Sequence, residues 1–454
     1  MDTNNPTADP VTANAAPQTE PAPVEPTPRP RLRQVDREQM IPPMRLEDLL
    51  TTDHQARVVW DFVKHLDLSA LYALIRAVEG RPGRPAIDPR ILLALWIYAT
   101  LEGVGSARAL DYLCVEHHAF RWLCGGVSVN YHTLADFRVD HADFLDDLLT
   151  HTVAVLREQE LVDLHRVAQD GMRVRASAGA ASFRRRPTLD ECLQEAHEQV
   201  DRLRKELESD PAEGQRRQAK ARERAARERE ERVRKALERL PELEAKKKAA
   251  DKEKARASTT DPEATVMKMS DGGYRPAYNF QFCTDTASQV IVGVDVTTCG
   301  SDQGEMAPMV EQIHERHEKY PDEVLVDGGF AKKEDIEAVS VPEKGCTVYV
   351  PVQKPKKAET DRHLPKPKDG PAVAEWRQRM ATPEAKEIYK DRAATAECVN
   401  AQARNRGLVR LLVRGLKKVK AIALWYAVAH NLMRAVSLQA GLVGKVRAGL
   451  ATQG

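Results

Sequence analysis

The feature that most constrains this chain is a long charged segment, residues 188–257, which separates one strand-like block from several others. Within it Val200, Leu203 and Leu207 recur at three- and four-residue steps, and a second leucine series follows a break at "SDPAEGQ". This spacing predicts two amphipathic helices of low hydrophobicity that form an antiparallel hairpin. Because the segment has no strand pattern of its own, we expect it to be an insertion in an α/β domain.

Strand-like blocks lie on both sides of this insertion. Before it, "VAQDGMRV" alternates apolar and polar residues around Asp170. After it, the blocks are "YNFQFCTD" at 278–285, "QVIVGVDVTT" at 289–298, "EVLVD" at 323–327 and "GCTVYVPV" at 345–352. A short turn joins the first two of these later blocks, so they should pair as a hairpin, and helical spacing at 303–318 precedes the third.

The order of the blocks limits the fold. It reads strand, helical insertion, strand, strand, helix, strand, helix, strand, with helices before residue 160 and from about 381 to 440. We expect an α+β fold with a mixed sheet of the RNase H-like kind, in which three antiparallel strands are followed by parallel strands with crossover helices. A dinucleotide-binding alternative would need a glycine signature that these blocks lack.

Composition excludes some classes of function. The 454 residues carry a net charge of +1, so any site for a polyanion must come from local clustering. Seven dispersed cysteines without a C-x-x-C pair favour reduced thiols over a zinc site. The start is not signal-like and the longest apolar run is only "AIALWYAVA", so we expect a soluble, cytoplasmic protein without a membrane span.

Residues 36–160 have helical spacing. Thr133 and Asp136 in "NYHTLADFR" have the spacing that starts a helix, and His132 and Arg138 lie on either side of that start. Short helices joined by tight turns are typical of helix-turn-helix DNA binding, so we expect His132 and Arg138 to contact DNA. A helical packing module without DNA contacts explains the same pattern.

Two aspartates lie in or directly after apolar strand blocks. Asp170 lies within the first block, and Asp327 follows "EVLV" and precedes two glycines. In the expected sheet the first and fourth strands are neighbours, so both carboxylates would meet at one edge. Like charges at close range are stabilised best by a hard divalent cation. Taken alone, however, an aspartate before Gly-Gly is usually a turn or capping residue.

A third acid lies in the late helical segment "EIYKDRAATAECVNAQARNRG". Arg404 follows Glu397 by seven residues, close to two helical turns, so the two side chains share one helix face. A metal-binding acid and a phosphate-binding base on one face suit the cutting of DNA. Without the two aspartates, Glu397 would be expected to be an ordinary solvated residue.

The chain resembles the DDE-type transposases of bacterial insertion sequences, which have an RNase H-like catalytic domain. "GRPGRPAIDPRILLALWIYATLEGVGSARALDYL" and "FRWLCGGVSVNYHTLADFR" are similar to the N-terminal helical domain of that family. "QDGMRVRASA", "TDPEATVMK", "YNFQFCTD" and "VLVDGGF" resemble the blocks around its first two acids. Tyr389, Arg392, Glu397 and Arg404 resemble its Y-x-x-R, E and K signature. Four residues rather than three separate Arg392 from Glu397, and arginine replaces the lysine.

The resemblance implies a catalytic triad of Asp170, Asp327 and Glu397 that binds two Mg²⁺ or Mn²⁺ ions, with Tyr389 and Arg392 in contact with DNA. Water would free a 3′-OH at the end of the element, and that hydroxyl would then attack target DNA without a covalent enzyme intermediate. The implied partner is double-stranded DNA, both the terminal inverted repeats and the target. We expect a homodimer or higher oligomer on DNA, associated with the nucleoid.

The stretch "RNRGLVRLLVRGLKKVK" at 404–420 has seven cations and no acid. Arg406, Arg410 and Arg414 have four-residue spacing, which predicts a cationic helix face that binds DNA phosphates. The alternative is an amphipathic helix that packs through its Leu and Val side chains while the cations are merely hydrated.

We expect the following divisions: a disordered Pro/Ala-rich tail at 1–35, a helical DNA-binding domain at 36–160, the catalytic domain at 161–187 and 258–440, the insertion at 188–257 and a tail at 441–454. The main competing function is a catalytically inactive, repurposed DNA-binding protein derived from a transposase. A phosphatase of the haloacid dehalogenase type would need an aspartate two residues after Asp170, where Met172 stands.

Overall fold

A computed structural model of the chain describes residues 44–77, 85–209, 213–354 and 361–451. The chain divides into two units, Met1–Met44 and Arg45–Gly454, and the elements below belong to the second. The expected tail at 1–35 and the last residues of the expected C-terminal tail lie outside the described residues. In the described part of the chain, no helix combines the length and apolarity that crossing a bilayer requires.

Seven helices precede the sheet among the described residues. Their bounds are α1 Gln55–Lys64, α2 Ser69–Tyr72, α3 Pro89–Leu101, α4 Ala107–Glu116, α5 His118–Cys124, α6 Tyr131–Asp140 and α7 Ala142–Glu158. Helix α3 is buried on almost every side because its sequence, "PRILLALWIYATL", is apolar all round. The Asp88 side chain caps it by accepting from the Arg90 amide at 2.9 Å.

Helix α6 begins at Tyr131, two residues before the expected start. The Asn130 side chain caps it, accepting hydrogen bonds from the amides of His132 and Thr133 at 3.1 and 3.0 Å. The prediction that Thr133 starts this helix was therefore wrong. The physical reason is that asparagine is at least as good an N-cap as threonine and comes first in the chain.

These helices share their core with the rest of the second unit. Their buried apolar side chains belong to the same hydrophobic cluster as those of the sheet. The last helix, α15 Leu416–Ala451, packs against α3, α6 and α7. The division into separate helical and catalytic domains stays a prediction.

The sheet is mixed. The strands are β1 Arg166–Arg175, β2 Phe183–Arg184, β3 Ala257–Ser258, β4 Thr265–Lys268, β5 Tyr274–Asp285, β6 Ile291–Thr297, β7 Glu323–Val326 and β8 Thr347–Tyr349. The main sheet has the order β4, β5, β1, β7, β8, with β6 also paired to β5. Strands β4, β5, β6 and β1 pair antiparallel, whereas β1, β7 and β8 pair parallel. The predicted hairpin of β5 and β6 is thus confirmed.

Helices α10 Met306–His317 and α11 Lys333–Val339 connect β6 to β7 and β7 to β8. The predicted insertion is also helical, with α8 Arg186–Glu208 packed against α9 Glu213–Ala245. A small separate core, which includes Leu189, Val233 and Leu240, holds the two together. Most other positions of α9 are charged, as a hairpin exposed to water requires.

The C-terminal segment contains α12 Pro371–Arg379, α13 Pro383–Arg392, a π-helical turn at Ala393–Glu397, α14 Cys398–Asn405 and α15. The prediction of a helix across 404–420 was wrong for residues 406–415. Gly407 and Gly415 have φ of 82° and 88°, in the left-handed region that interrupts a helix. Arg406, Arg410 and Arg414 therefore do not share a helix face.

Backbone pairing gives a reason for this break. Strand β1 continues beyond the end of β7, which leaves N–H and C=O groups on its edge. The Arg175 amide donates to the Val409 carbonyl at 3.2 Å, and the Leu411 amide donates to the Arg175 carbonyl at 2.8 Å. The segment after α14 thus satisfies backbone groups that a continuous helix would leave unpaired.

Candidate active site

The two candidate aspartates lie on neighbouring parallel strands. Gln169 of β1 is in register with Val326 of β7, and Asp170 and Asp327 are the next residues along each chain. Asp170 lies inside β1, which runs on to Arg175, while Asp327 leaves the sheet at the end of β7. Both carboxylates are therefore placed where β7 ends.

Asp170 is partly buried and accepts two hydrogen bonds. Its Oδ1 accepts from the Gly171 amide at 2.9 Å, and its Oδ2 accepts from Nδ2 of Asn400 at 2.9 Å. Burial raises the pKa of Asp170 to about 6, and the charge of Asp327 acts in the same direction while Arg392 opposes it. This combination of burial and a like-charged neighbour is common at functional carboxylates.

Asp327 caps the 3₁₀ turn Gly328–Phe330. Its Oδ1 accepts from the Gly329 amide at 2.7 Å. A Cβ at Gly329 would lie 2.8 Å from that oxygen, so the close turn requires glycine there. The capping role expected of an aspartate before Gly-Gly is therefore present, and it uses only one of the two carboxylate oxygens.

Glu397 ends the π-helical turn and pairs with Arg392. The Arg392 Nη2 donates to Glu397 Oε1 at 2.5 Å, although the two are five residues apart. In a regular α-helix a five-residue step points side chains to different faces, at about 140° from each other. The π-helical turn contains one residue more per turn, so it returns Glu397 to the face of Arg392. The extra residue between arginine and glutamate is thus accommodated locally.

Tyr389 fixes α13 over the end of β7. Its hydroxyl donates to the Val326 carbonyl at 3.2 Å, next to Asp327. The Arg392 guanidinium lies 5.8 Å from the centre of the Tyr389 ring. Burial alone would lower the pKa of Arg392, but Tyr389, Asp170, Glu397 and Asp327 together raise it. Arg392 is therefore bonded to Glu397 and lies close enough to Asp170 and Asp327 for their charges to act on it.

The donor chemistry suits a hard divalent cation only in part. Asp170 and Asp327 supply carboxylate oxygens, and the buried Oδ1 of Asn400 has no hydrogen-bond partner. Glu397, however, is engaged with Arg392. Among the residues that the structure describes, no three His, Cys, Asp or Glu side chains are grouped so as to hold a metal ion. The expected convergence of three carboxylates on one point is absent from this part of the chain.

The arginines predicted to bind DNA do not lie on one surface of the protein. Arg404 is exposed and lines a cleft beside Gly171, next to the candidate acids. Arg406 and Arg410 instead line a small cavity of about 50 Å³ together with Arg138. One buried Nη of Arg406 has no partner within the described residues.

Arg138 lies in the packing between helices. Its guanidinium lies 4.5 Å from the centre of the Trp96 ring and donates to the Gly105 carbonyl. Burial lowers the pKa of Arg138 to about 10. Its predicted contact with DNA stays a prediction.

His132 and Arg414 are both exposed and lie on other elements than the candidate acids. His132 is on the first turn of α6, with its ring centre 4.0 Å from that of Tyr131. Arg414 donates Nε to the Ser177 carbonyl at 3.2 Å. Their roles in DNA binding also stay predictions.

Sequence reasoning missed three residues near the site. Asn400 donates to Asp170, and its position three residues after Glu397 on the same helical segment is the signal that could have identified it. Asp302 lies against Gly171, and Lys268 lines the same cleft as Arg404. Neither of these two has a spacing in the sequence that links it to the acids.

Two segments of the chain match transposase family models. Residues 44–140 match a transposase domain (DUF772), and residues 342–436 match a transposase DDE domain. These two matches support an insertion-sequence transposase of the DDE type. Glu397 lies inside the DDE match, whereas Asp170 and Asp327 lie outside both matches. No curated protein and no solved structure matches the chain significantly.

Proposed function

We propose that this transposase binds the terminal inverted repeats of its own insertion sequence, cleaves a strand there and transfers the freed 3′-OH into target DNA. The observation that carries the proposal is that Asp170 and Asp327 follow paired residues of the parallel strands β1 and β7, and that Tyr389 fixes α13, with its Arg392–Glu397 pair, over the end of β7. The three acids come from β1, the end of β7 and the π-helical turn. Acids from distant segments that are brought to the same end of a sheet are typical of a site for phosphoryl transfer.

The topology supports an RNase H-like catalytic domain. In the order β6, β5, β1, β7, β8, the first three strands are antiparallel and the last two follow β1 in parallel. Helices α10 and α11 make the crossovers, as the element order predicts. The charged hairpin of α8 and α9 then interrupts this domain after β1.

The proposed metal ligands are Asp170, Asp327 and Glu397. Two Mg²⁺ or Mn²⁺ ions bound there would activate the attacking hydroxyl and stabilise the leaving oxygen of the phosphodiester. Asn400 orients Asp170 by donating from Nδ2 to Oδ2, and the Oδ1 of Asn400 has no hydrogen-bond partner among the described residues. Tyr389 holds α13 against the end of β7.

We also propose that Arg392 exchanges its partner Glu397 for a DNA phosphate when DNA binds. Its guanidinium is engaged by Glu397, and the pair meets solvent mainly through the carboxylate, since the Glu397 side chain is 56% exposed and the Arg392 side chain 14%. A DNA phosphate that reaches Arg392 would compete with this carboxylate and release it toward the two aspartates. Substrate binding would thereby complete the set of three acids.

Double-stranded DNA is the proposed substrate at both steps, first as the element's ends and then as the target. We propose that the protein acts as a homodimer or higher oligomer, since two ends must be joined to one target. Its place of action would be the nucleoid, where both substrates lie.

The test is strand cleavage of a labelled duplex that contains the DNA flanking the coding sequence, with Mg²⁺ or Mn²⁺. Wild type should nick the duplex at the end of the element. Asp327→Ala should reduce nicking by about 100-fold or more, because it removes charge from the reacting centre. Asp361→Ala, which removes an exposed aspartate outside the site, should leave the rate unchanged.

Binding of the duplex without nicking would favour the competing function, a catalytically inactive DNA-binding protein. If wild type binds the duplex but never nicks it with either metal, the protein is a repurposed DNA-binding protein rather than an active transposase. Band-shift measurements on the same duplex separate this outcome from a failure to bind.

A further inference from the structure

A cationic cleft opens beside the candidate acids. It has a volume of about 300 Å³ and is lined by Gly171, Arg173, Lys268, Met269, Ser270, Gly300 and Arg404. Two of these residues are glycines, so part of the wall is bare backbone. Three are cations, and no acid is among the lining residues.

Only part of this positive charge is neutralised. Arg173 donates to Asp302 at 2.7 Å and to the Gly300 carbonyl at 3.1 Å, so its charge is paired and it belongs to the wall. Lys268 and Arg404 are both exposed. In the described part of the chain, neither has a carboxylate within salt-bridge distance. The cleft thus presents two free cations.

The wall behind the cleft is rigid. Asp302 is buried and accepts hydrogen bonds from Asn279 at 2.7 Å, Gln281 at 2.9 Å and Arg173. A Cβ on Gly171 would lie only 2.1 Å from an Asp302 oxygen, so this position requires glycine. The network holds the backbone after Asp170 in place and leaves the cleft open.

Lys268 is also held in position. It ends β4, in register with Tyr274 of β5, and a tight turn closed by the Met269 amide and the Gly273 carbonyl at 2.8 Å follows it. Asp271 is the acid of that turn, and it is paired with Arg275 at 2.8 Å. It therefore does not neutralise Lys268.

The cleft adjoins the acids from two sides. Gly171 directly follows Asp170, and Arg404 is seven residues beyond Glu397. A DNA strand whose scissile phosphate lies at the acids would have a neighbouring phosphate within this cleft. Free cations next to an acidic centre are the arrangement that such a strand requires.

We propose that Lys268 and Arg404 together clamp a DNA backbone phosphate next to the scissile one. The inference rests on the proposed function and adds Lys268, the last residue of the "TDPEATVMK" block, to its DNA contacts. Because the contact is to phosphate, it is independent of base sequence.

The test is the salt dependence of DNA binding, measured with a chelator present so that no cleavage occurs. The probe is a fluorescent DNA duplex of mixed sequence. Lys268→Ala should reduce the slope of log K against log salt by about 0.9, and weaken binding about tenfold near 0.1 M salt. Lys268→Arg should restore the slope, because it keeps the charge. Lys252→Ala, an exposed lysine on the insertion outside the cleft, should leave it unchanged.

The outcomes separate this inference from the proposed function. If Lys268→Ala and Lys252→Ala have the wild-type slope, the clamp is refuted, whether or not wild type cleaves DNA. If Lys268→Ala alone loses the contact and wild type never cleaves, the clamp stands and the enzymatic proposal falls. Thermal unfolding of each variant shows whether the fold is intact.

Discussion

Replacing Asp170 by asparagine should stabilise the metal-free protein near neutral pH. Burial raises the pKa of Asp170 from 3.8 to about 6, which means that the folded state disfavours the ionised form. Asparagine has nearly the same shape and no charge. Its oxygen can accept from the Gly171 amide, and its NH₂ group can donate to Oδ1 of Asn400 once the Asn400 amide, which now donates from Nδ2 to Asp170, turns over by 180°.

The magnitude follows from the pKa difference. A shift of about two units corresponds to about 3 kcal/mol in the free energy of unfolding. Asp170 is not fully buried, so water screens part of this cost, and we expect the variant to be more stable by about 1–2 kcal/mol at about pH 7.

The direction in which the free energy of unfolding changes with pH follows from the difference between the folded and unfolded pKa of Asp170. Because the folded pKa is raised, the folded state of wild type holds its proton between about pH 4 and 6 while the unfolded state loses it. The stability that this group contributes is present below about pH 4 and is lost as the pH rises through about 6. The advantage of Asp170→Asn should therefore be absent near pH 4 and complete near pH 7.

Urea unfolding with a chelator at these two pH values measures the difference, and wild type is compared with the variant under the same conditions. Glu253→Gln is the control, since it removes an exposed charge and should change stability by less than about 0.5 kcal/mol at either pH. The reasoning is refuted if Asp170→Asn is less stable than wild type near pH 7, or if its advantage is the same at both pH values.

Two further predictions concern the backbone near the site. Gly171→Ala would place a methyl group 2.1 Å from Asp302 and should lower the free energy of unfolding by about 1–3 kcal/mol, whereas Gly179→Ala, where the methyl group meets nothing within 4 Å, should have little effect in thermal unfolding. Deleting the exposed Ala394 should convert the π-helical turn into α-helix and retain both folding and DNA cleavage, because that turn holds one residue in excess. Deleting the exposed Ala401 from α14 should abolish cleavage, and equal losses in the two deletions would contradict this reading of the turn.

The approach of Asp170 to Asp327 could be predicted from the sequence because it depends on strand order. Each aspartate is attached to an apolar strand, and the order of elements makes these two strands parallel neighbours. Arg392 and Glu397 could be anticipated for a different reason, since they are close in the chain.

Contacts made by side chains from distant segments could not be predicted in this way. Lys268 joins Arg404 only because β4 pairs with the first half of β5 and leaves the second half to β6. Asp302 lies behind Gly171 only because the loop after β6 crosses the sheet there. No periodicity in the sequence indicates either of these two contacts, because each depends on the residue at which a strand ends.

The absence of a three-carboxylate cluster from the described residues has an electrostatic explanation. Three like charges cannot approach closely unless a cation lies between them. In this structure the cation is the Arg392 guanidinium, which affects the pKa of Asp170 and is bonded to Glu397. A guanidinium is larger than a metal ion and binds through N–H groups, so it holds the acids further apart than a metal would. Arg392 therefore already supplies positive charge near the acids, and if it moved onto a DNA phosphate, the acids could close only around bound metal ions, which would then supply the positive charge between them.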